Sequence, residues 1–306
     1  MSGTVALVLG SGGARGYAHI GVIRELERRG YQVTSVAGTS IGALVGGFWA
    51  AGKLDVYAEW ISQLHYFDCL KLLDVSLSQP CIIKGHKLFT IIRHLIGDIT
   101  IESLPVSYTA VATNLQTRKE VWFQQGDLVT AMRASSAVPS LFPPVSVNGQ
   151  LLVDGAVLNP LPMAPSGSVI ADIVIAVDLL GEETPAPLTK SNADDAGYKR
   201  LPDNWLKKIW PGNKGDKPQD KEKKLVKSMS MFNIFYQSME IMQESLARYK
   251  VAGNPPNILI SVPKNSCRFY DFHKFHEVER IGQSLAAEVL DKWESGKKNA
   301  PTDYLK

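Results

Sequence analysis

The sequence predicts an α/β fold with a mostly parallel central sheet and helices on both faces. Two successive strand-loop-helix units fill the first 52 residues, and alternating strands and helices of this kind build parallel sheets. The five-residue run Ile173–Val177 is wholly apolar, as strands buried on both faces are, and Ile258–Val262, apolar but for Ser261, resembles another buried strand. Helical spacing of apolar residues returns between and after these runs.

The first strand is Val5–Leu9. It stops at the glycine-rich stretch Gly10–Gly16, and apolar positions then recur at Ile20, Val22, Ile23 and Leu26 as a helix ending at Gly30. The second unit has a strand at Val33–Ala37, a tight turn at Gly38–Gly42 and a helix from Ala43 to Ala51 closed by Gly52. Helical stretches follow at Val56–Leu64 and Lys87–Ile96, then strands at Tyr108–Thr113 and Glu120–Phe123 across a polar turn. Asp127 is placed to cap a helix running through Arg133, and Asn148-Gly149 between two short apolar runs is a two-residue hairpin signal. Residues 1–180 read as the core and 181–228 as a basic insert rich in Pro, Asn, Asp and Lys. Residues 229–306 read as a helix-strand-helix segment that packs back on the core.

At 306 residues, 45% hydrophobic and 21% charged, the composition is globular and excludes a mostly disordered, collagen-like or disulfide-scaffold chain. The net charge of +3 is too small to indicate a nucleic-acid binder, and no recognised nucleic-acid module is present. Cys69, Cys81 and Cys267 show no Cys-x-x-Cys spacing, which fits reduced thiols in the cytoplasm. The N-terminal apolar run is too short for a signal peptide or a membrane span, so a soluble protein touching membranes only peripherally is expected. No calcium-loop pattern occurs, and neither a metal nor another cofactor is expected.

Gly38-Thr39-Ser40-Ile41-Gly42 matches G-x-S-x-G between a strand and a helix, the context in which a serine is held clear of the sheet at a helix N-terminus. Ser40 is the candidate nucleophile. Asp154, at the end of a strand in Val153-Asp154-Gly155-Ala156, is the candidate base, a role that requires burial to raise its basicity. The six histidines, His19, His65, His86, His94, His273 and His276, read as surface or packing residues. His273 stands as the alternative third member of a Ser-Asp-His triad. Three uses compete for the Gly10–Gly16 loop. Arg15 occupies the third glycine position of a dinucleotide-binding fingerprint, and a phosphate-binding P-loop would need a Gly-Lys-Ser/Thr that is absent. An oxyanion hole suits a strand adjacent to a nucleophile turn.

Gly10–Val22, Gly38–Gly42 and Asp154–Ala156, in this order and spacing, resemble the patatin-like phospholipase family, and more closely the short bacterial proteins related to the catalytic domain of neuropathy target esterase. Arg133–Pro139, Phe142–Pro144 and Asn159–Pro162 extend the resemblance across residues 5 to 180. It implies the three-layer patatin fold and a Ser40–Asp154 dyad that needs no histidine. It further implies oxyanion donors in the backbone of Gly12, Gly13 and Ala14, with Arg15 where the family carries a basic residue. Gly10, Gly16, Gly38, Gly42 and Gly155 support these motifs. Ser11 departs from the run of three glycines common in the family, so its backbone must adopt a conformation that a side chain tolerates.

The activity implied is metal-independent hydrolysis of a lipid acyl ester through an acyl-serine intermediate. The competing expectation is a lipid-binding or regulatory protein with a vestigial or acyltransferase site. Residues 199–227 carry ten Lys or Arg against four acids, interleaved with Trp205, Leu206, Ile209 and Trp210, and suit contact with an anionic lipid surface.

Overall fold

The computed structural model describes residues 3–64, 86–166, 171–183 and 231–296. His65 and the basic segment 199–227 lie outside the described residues. The chain forms two compact units, Met1–Leu188 with Glu240–Lys306, and Thr189–Met239. The first contains the sheet and every site residue discussed below.

Its strands are β1 Thr4–Leu9, β2 Gln32–Thr39, β3 Ser107–Asn114, β4 Lys119–Phe123, β5 Val145–Val147, β6 Gln150–Asp154, β7 Ile173–Gly181 and β8 Ile258–Pro263. Its helices are α1 Tyr17–Arg28, α2 Ile41–Ala50, α3 Leu54–Ser62, α4 His86–Ile96, α5 Leu128–Ser135, α6 Met231–Gly253 (of which 240–253 belong to this unit) and α7 Phe275–Glu294. The sheet order is β5-β6-β3-β2-β1-β7-β8, with β4 paired to β3. The run β3-β2-β1-β7-β8 is parallel, while β4 and β6 pair antiparallel to β3 and β5 pairs antiparallel to β6. The fold is thus α/β with a mostly parallel sheet, and its antiparallel margin comes from the two hairpins.

β1 lies at the centre and is buried on both faces, which is why Val5–Leu9 is unbroken by a polar residue. Val5, Leu7 and Leu9 enter the larger core with Ile23 and Leu26 of α1, Phe48 of α2 and Val278 of α7. Val8 points the other way, to a smaller cluster with Ala176, Ala247 and Val251, the last two on α6. Alternation along one strand therefore feeds two helical layers, giving three layers in all.

The local turn chemistry follows the sequence. The Asp127 side chain accepts from the Thr130 N–H at 2.8 Å as the N-cap of α5, and Asn148 and Gly149 take φ of 50° and 76° in the β5-β6 hairpin. Among the described residues no helix is long and apolar enough to cross a membrane.

Candidate active site

Parallel strands place their C-terminal ends on one edge of the sheet, and β1 and β2 end there in the glycine loop and in the Gly38–Gly42 turn. Ser40 stands between β2 and α2 with φ 57° and ψ −123°, a left-handed conformation unusual for a residue with a side chain. Close packing enforces it. A Cβ at Gly42 would lie 2.2 Å from the Leu9 carbonyl oxygen, so α2 crosses the end of β1 nearly backbone to backbone. The Ser40 N–H donates to Ser135 Oγ at 2.9 Å, and that hydroxyl donates to the Val111 carbonyl at 2.6 Å, fastening the turn to β3.

Ser40 Oγ donates to Asp154 Oδ2 at 2.5 Å. The two residues are 114 apart in sequence and both are buried. Asp154 ends β6, and its Oδ1 accepts the Ala156 N–H at 2.8 Å while its own N–H donates to the Ala137 carbonyl at 2.9 Å. Burial pushes its carboxyl up to about 7, against the opposing effect of the hydrogen bonds from Ser40 and Ala156. A carboxylate that takes a proton near neutral pH is matched to a serine hydroxyl far better than an ordinary aspartate.

The glycine loop continues β1 into a 3-10 turn, Gly13–Gly16. Gly10 donates to the Val177 carbonyl, and the Ser11 N–H donates to the Pro160 carbonyl at 2.8 Å with no left-handed φ at Ser11. Among the described residues the N–H groups of Gly12 and Gly13 have no hydrogen-bond partner. The Ala14 N–H, expected among the oxyanion donors, instead donates to the Phe269 carbonyl at 2.8 Å, because the loop after β8 lies directly against it. Gly13 has φ 61°, and a Cβ there would fall 2.2 Å from the Phe269 ring. The Arg15 side chain is buried and turned away into the protein, with Nε donating to the Cys267 carbonyl at 3.0 Å and Nη1 to Glu240 Oε1 at 2.6 Å. Gly16 packs on Ile41, Gly38 on Gly42 and Gly155 on the Val111 carbonyl.

His19, His94, His273 and His276 stand apart from this pair. His19 Nε2 meets the Gly10 carbonyl at 2.8 Å, and burial lowers the ring to about 4, so it is neutral at pH 7 and donates there. His94, His273 and His276 are exposed, and among the described residues no histidine bonds Ser40 or Asp154. His86 begins α4. The Cys267 thiol is buried and pushed up to about 12, which leaves it unreactive. Among the described residues no group of three or more His, Cys, Asp or Glu is placed to hold a metal ion.

Ser40 and Gly13 open on a cavity whose wall is almost wholly apolar, built from Trp60 and Ile61 of α3, Phe89 of α4, Leu141 and Phe142, and Phe269. A buried hydroxyl-carboxylate pair at the wall of an apolar cavity beside two unpartnered N–H groups is equipped for attack on the carbonyl of a substrate with a hydrocarbon tail. Sequence reasoning missed Ser135, Cys267, Phe269 and Glu240. Ser135 lies inside the recognised Arg133–Pro139 segment, whereas the other three carry no local signal.

Residues 7–165 match the patatin-like phospholipase family model. An "Uncharacterized NTE family protein" of Mycobacterium tuberculosis is 39% identical over 95% of this chain and 92% of its own. A patatin-like phospholipase domain-containing protein of Caenorhabditis elegans is 30% identical over 93% of this chain but only 20% of its own. "Lysophospholipase NTE1" of Debaryomyces hansenii is 26% identical over 97% of this chain and 18% of its own. Among solved structures, VipD from Legionella pneumophila aligns with TM-score 0.46 and 15% identity over 95% of this chain and 67% of that one. With the family model covering half of its length and a relative aligned almost end to end, this chain belongs to the patatin-like phospholipase family.

Proposed function

We propose that this chain hydrolyses an acyl ester of a lipid through an acyl-serine intermediate, with Ser40 as nucleophile and Asp154 as general base and acid. The observation that carries the reading is the 2.5 Å hydrogen bond from Ser40 Oγ to Asp154 Oδ2 at the wall of the apolar cavity. Ser40 Oγ attacks the ester carbonyl carbon as its proton passes to Asp154, and the carbonyl π pair moves onto oxygen. The resulting oxyanion is held by the free N–H groups of Gly12 and Gly13, helped by the N-terminal dipole of α2. Collapse breaks the bond to the alcohol, which leaves with the proton from Asp154, and the acyl group stays on Ser40. Water, deprotonated by Asp154, then attacks the acyl-serine, and the bond to Ser40 Oγ breaks as Asp154 returns that proton to Oγ, releasing the fatty acid and restoring the dyad. The names of the NTE lysophospholipase relatives and the apolar wall both favour a lipid acyl group as the part bound in the cavity.

The test is labelling with a fluorophosphonate, location of the modified residue by mass spectrometry, and assay of fatty-acid release from lysophospholipid. Labelling at Ser40 with turnover lost in both Ser40→Ala and Asp154→Asn is expected. Turnover that survives Ser40→Ala, or that is lost equally in His273→Ala with the fold intact, would overturn the dyad.

A further inference from the structure

We propose that Glu240 of α6 is a positioning residue for the glycine loop, acting through Arg15. The inference rests on the reading of Gly12 and Gly13 as oxyanion donors. Such donors work only when they lie about 2.7–3.1 Å from the oxygen that acquires charge, and a misplacement of about 1 Å can cost about 100-fold in rate. The Gly10 and Ser11 N–H groups tie the start of the loop to the Val177 and Pro160 carbonyls, but the two donors themselves lie beyond these ties. Gly12 and Gly13 carry no side chains, and their N–H groups are without partners among the described residues.

Two residues after Gly13, the Arg15 side chain is only 6% exposed and reaches α6 and the loop after β8, both from the far end of the chain. Its Nη1 meets Glu240 Oε1 at 2.6 Å and its Nε meets the Cys267 carbonyl at 3.0 Å, across sequence separations of 225 and 252. Replacing the carboxylate takes away the charged partner that fixes Nη1 of this buried guanidinium, and so loosens its hold on the loop that carries it. The Ala14 N–H on the Phe269 carbonyl provides the second attachment on the same side. All these anchors lie outside residues 7–165, where the family model matches. The attachments after Gly13 therefore come from a part of the chain that the family motifs do not contain, whereas those before Gly12 include Pro160 and His19 within it.

The experiment compares Glu240→Gln, Glu240→Asp and Glu244→Gln in the full-length protein. Glu244 lies one turn along the same helix and pairs with Arg248 and Lys264, so its loss reports the generic cost of removing an ion pair from α6. Two readouts are taken, kcat and KM on a soluble short-chain ester, and amide hydrogen exchange of the Gly12–Ala14 segment. Glu240→Gln is expected to lower kcat by about 10- to 100-fold with KM within twofold and to speed exchange at the loop. Glu240→Asp should recover most of both, and Glu244→Gln should change neither. Unchanged loop exchange in Glu240→Gln, or a kcat loss no larger than that of Glu244→Gln, overturns the proposal. If the native protein turns over no ester the dyad reading fails instead, and loop exchange still decides the role of Glu240. Should Glu240→Gln not fold, the same two readouts on Glu240→Asp decide, with unchanged exchange and kcat counting against it.

Discussion

Replacing Asp154 by Asn should make the folded protein more stable at alkaline pH while removing its activity. Burial raises the native carboxyl from 3.8 to about 7, so between these values the folded chain holds a proton that the unfolded chain has given up. Stability from this group is complete below pH 4 and is lost as pH rises through 7. The difference amounts to about 4 kcal/mol in total, of which about 2.6 kcal/mol falls between pH 5 and pH 8. Asn is neutral throughout and retains an oxygen for the Ala156 N–H and an amide for Ser40 Oγ. Urea unfolding of both proteins at pH 5 and pH 8 isolates the effect, because every other titrating group cancels in the double difference. The variant should gain about 2 to 3 kcal/mol relative to the native protein on going from pH 5 to pH 8. Over the same interval native ester turnover should rise through pH 7, as the base loses its proton. A double difference within about 0.5 kcal/mol of zero would show that Asp154 titrates normally and would remove its raised basicity from the mechanism.

Gly42→Ala should cost more than about 3 kcal/mol in stability by denaturant unfolding, since the new Cβ meets the Leu9 carbonyl oxygen at 2.2 Å. Gly30→Ala, whose φ of 77° stands in open space, should cost about 1 kcal/mol; equal losses at the two sites would refute the steric account. Ile61→Trp fills the apolar cavity beside Ser40, so activity on long-chain esters should fall about 10-fold relative to short-chain esters. An unchanged chain-length profile would place the acyl group elsewhere.

The candidate dyad is legible in the sequence because each member sits in a short local signal, the strand-turn-helix glycines around Ser40 and the Asp-Gly turn after β6. Capping by Asp127 and the Asn148-Gly149 hairpin are legible for the same reason, as each depends on residues no more than three apart. Element ends are less so. α2 starts at Ile41, two residues before the expected Ala43, because Ser40 itself is its N-cap. β7 runs to Gly181, past the apolar stretch, since the buried Asp178 side chain accepts the Leu180 N–H at 3.0 Å and so removes the usual cost of a polar residue there. Phe269 and Glu240 were silent because nothing beside them in the chain marks their role, and Ser135, though inside a recognised segment, carries no local sign of what it binds. Ser135 meets Ser40 across 95 residues, and the Arg15 pair spans 225. Likewise the Ala14 N–H looks like any other in a glycine-rich loop until the Phe269 carbonyl is seen to occupy it.

The place of β1 between β2 and β7 bears on how the chain is made. β1 can pair with β2 soon after the two leave the ribosome, but Val5–Leu9 finds its other partner in Ile173–Val177 of β7. That stretch lies roughly 170 residues downstream, about 10 to 30 s of synthesis at 5–20 residues per second. Throughout that interval a strand whose Val5–Leu9 stretch is fully buried in the folded protein offers an open hydrogen-bonding edge in a crowded cell, the condition under which nascent chains aggregate or recruit chaperones. Slowing translation between residues 40 and 170 should therefore lower the yield of folded protein, whereas slowing it after residue 263, when β8 is complete, should not.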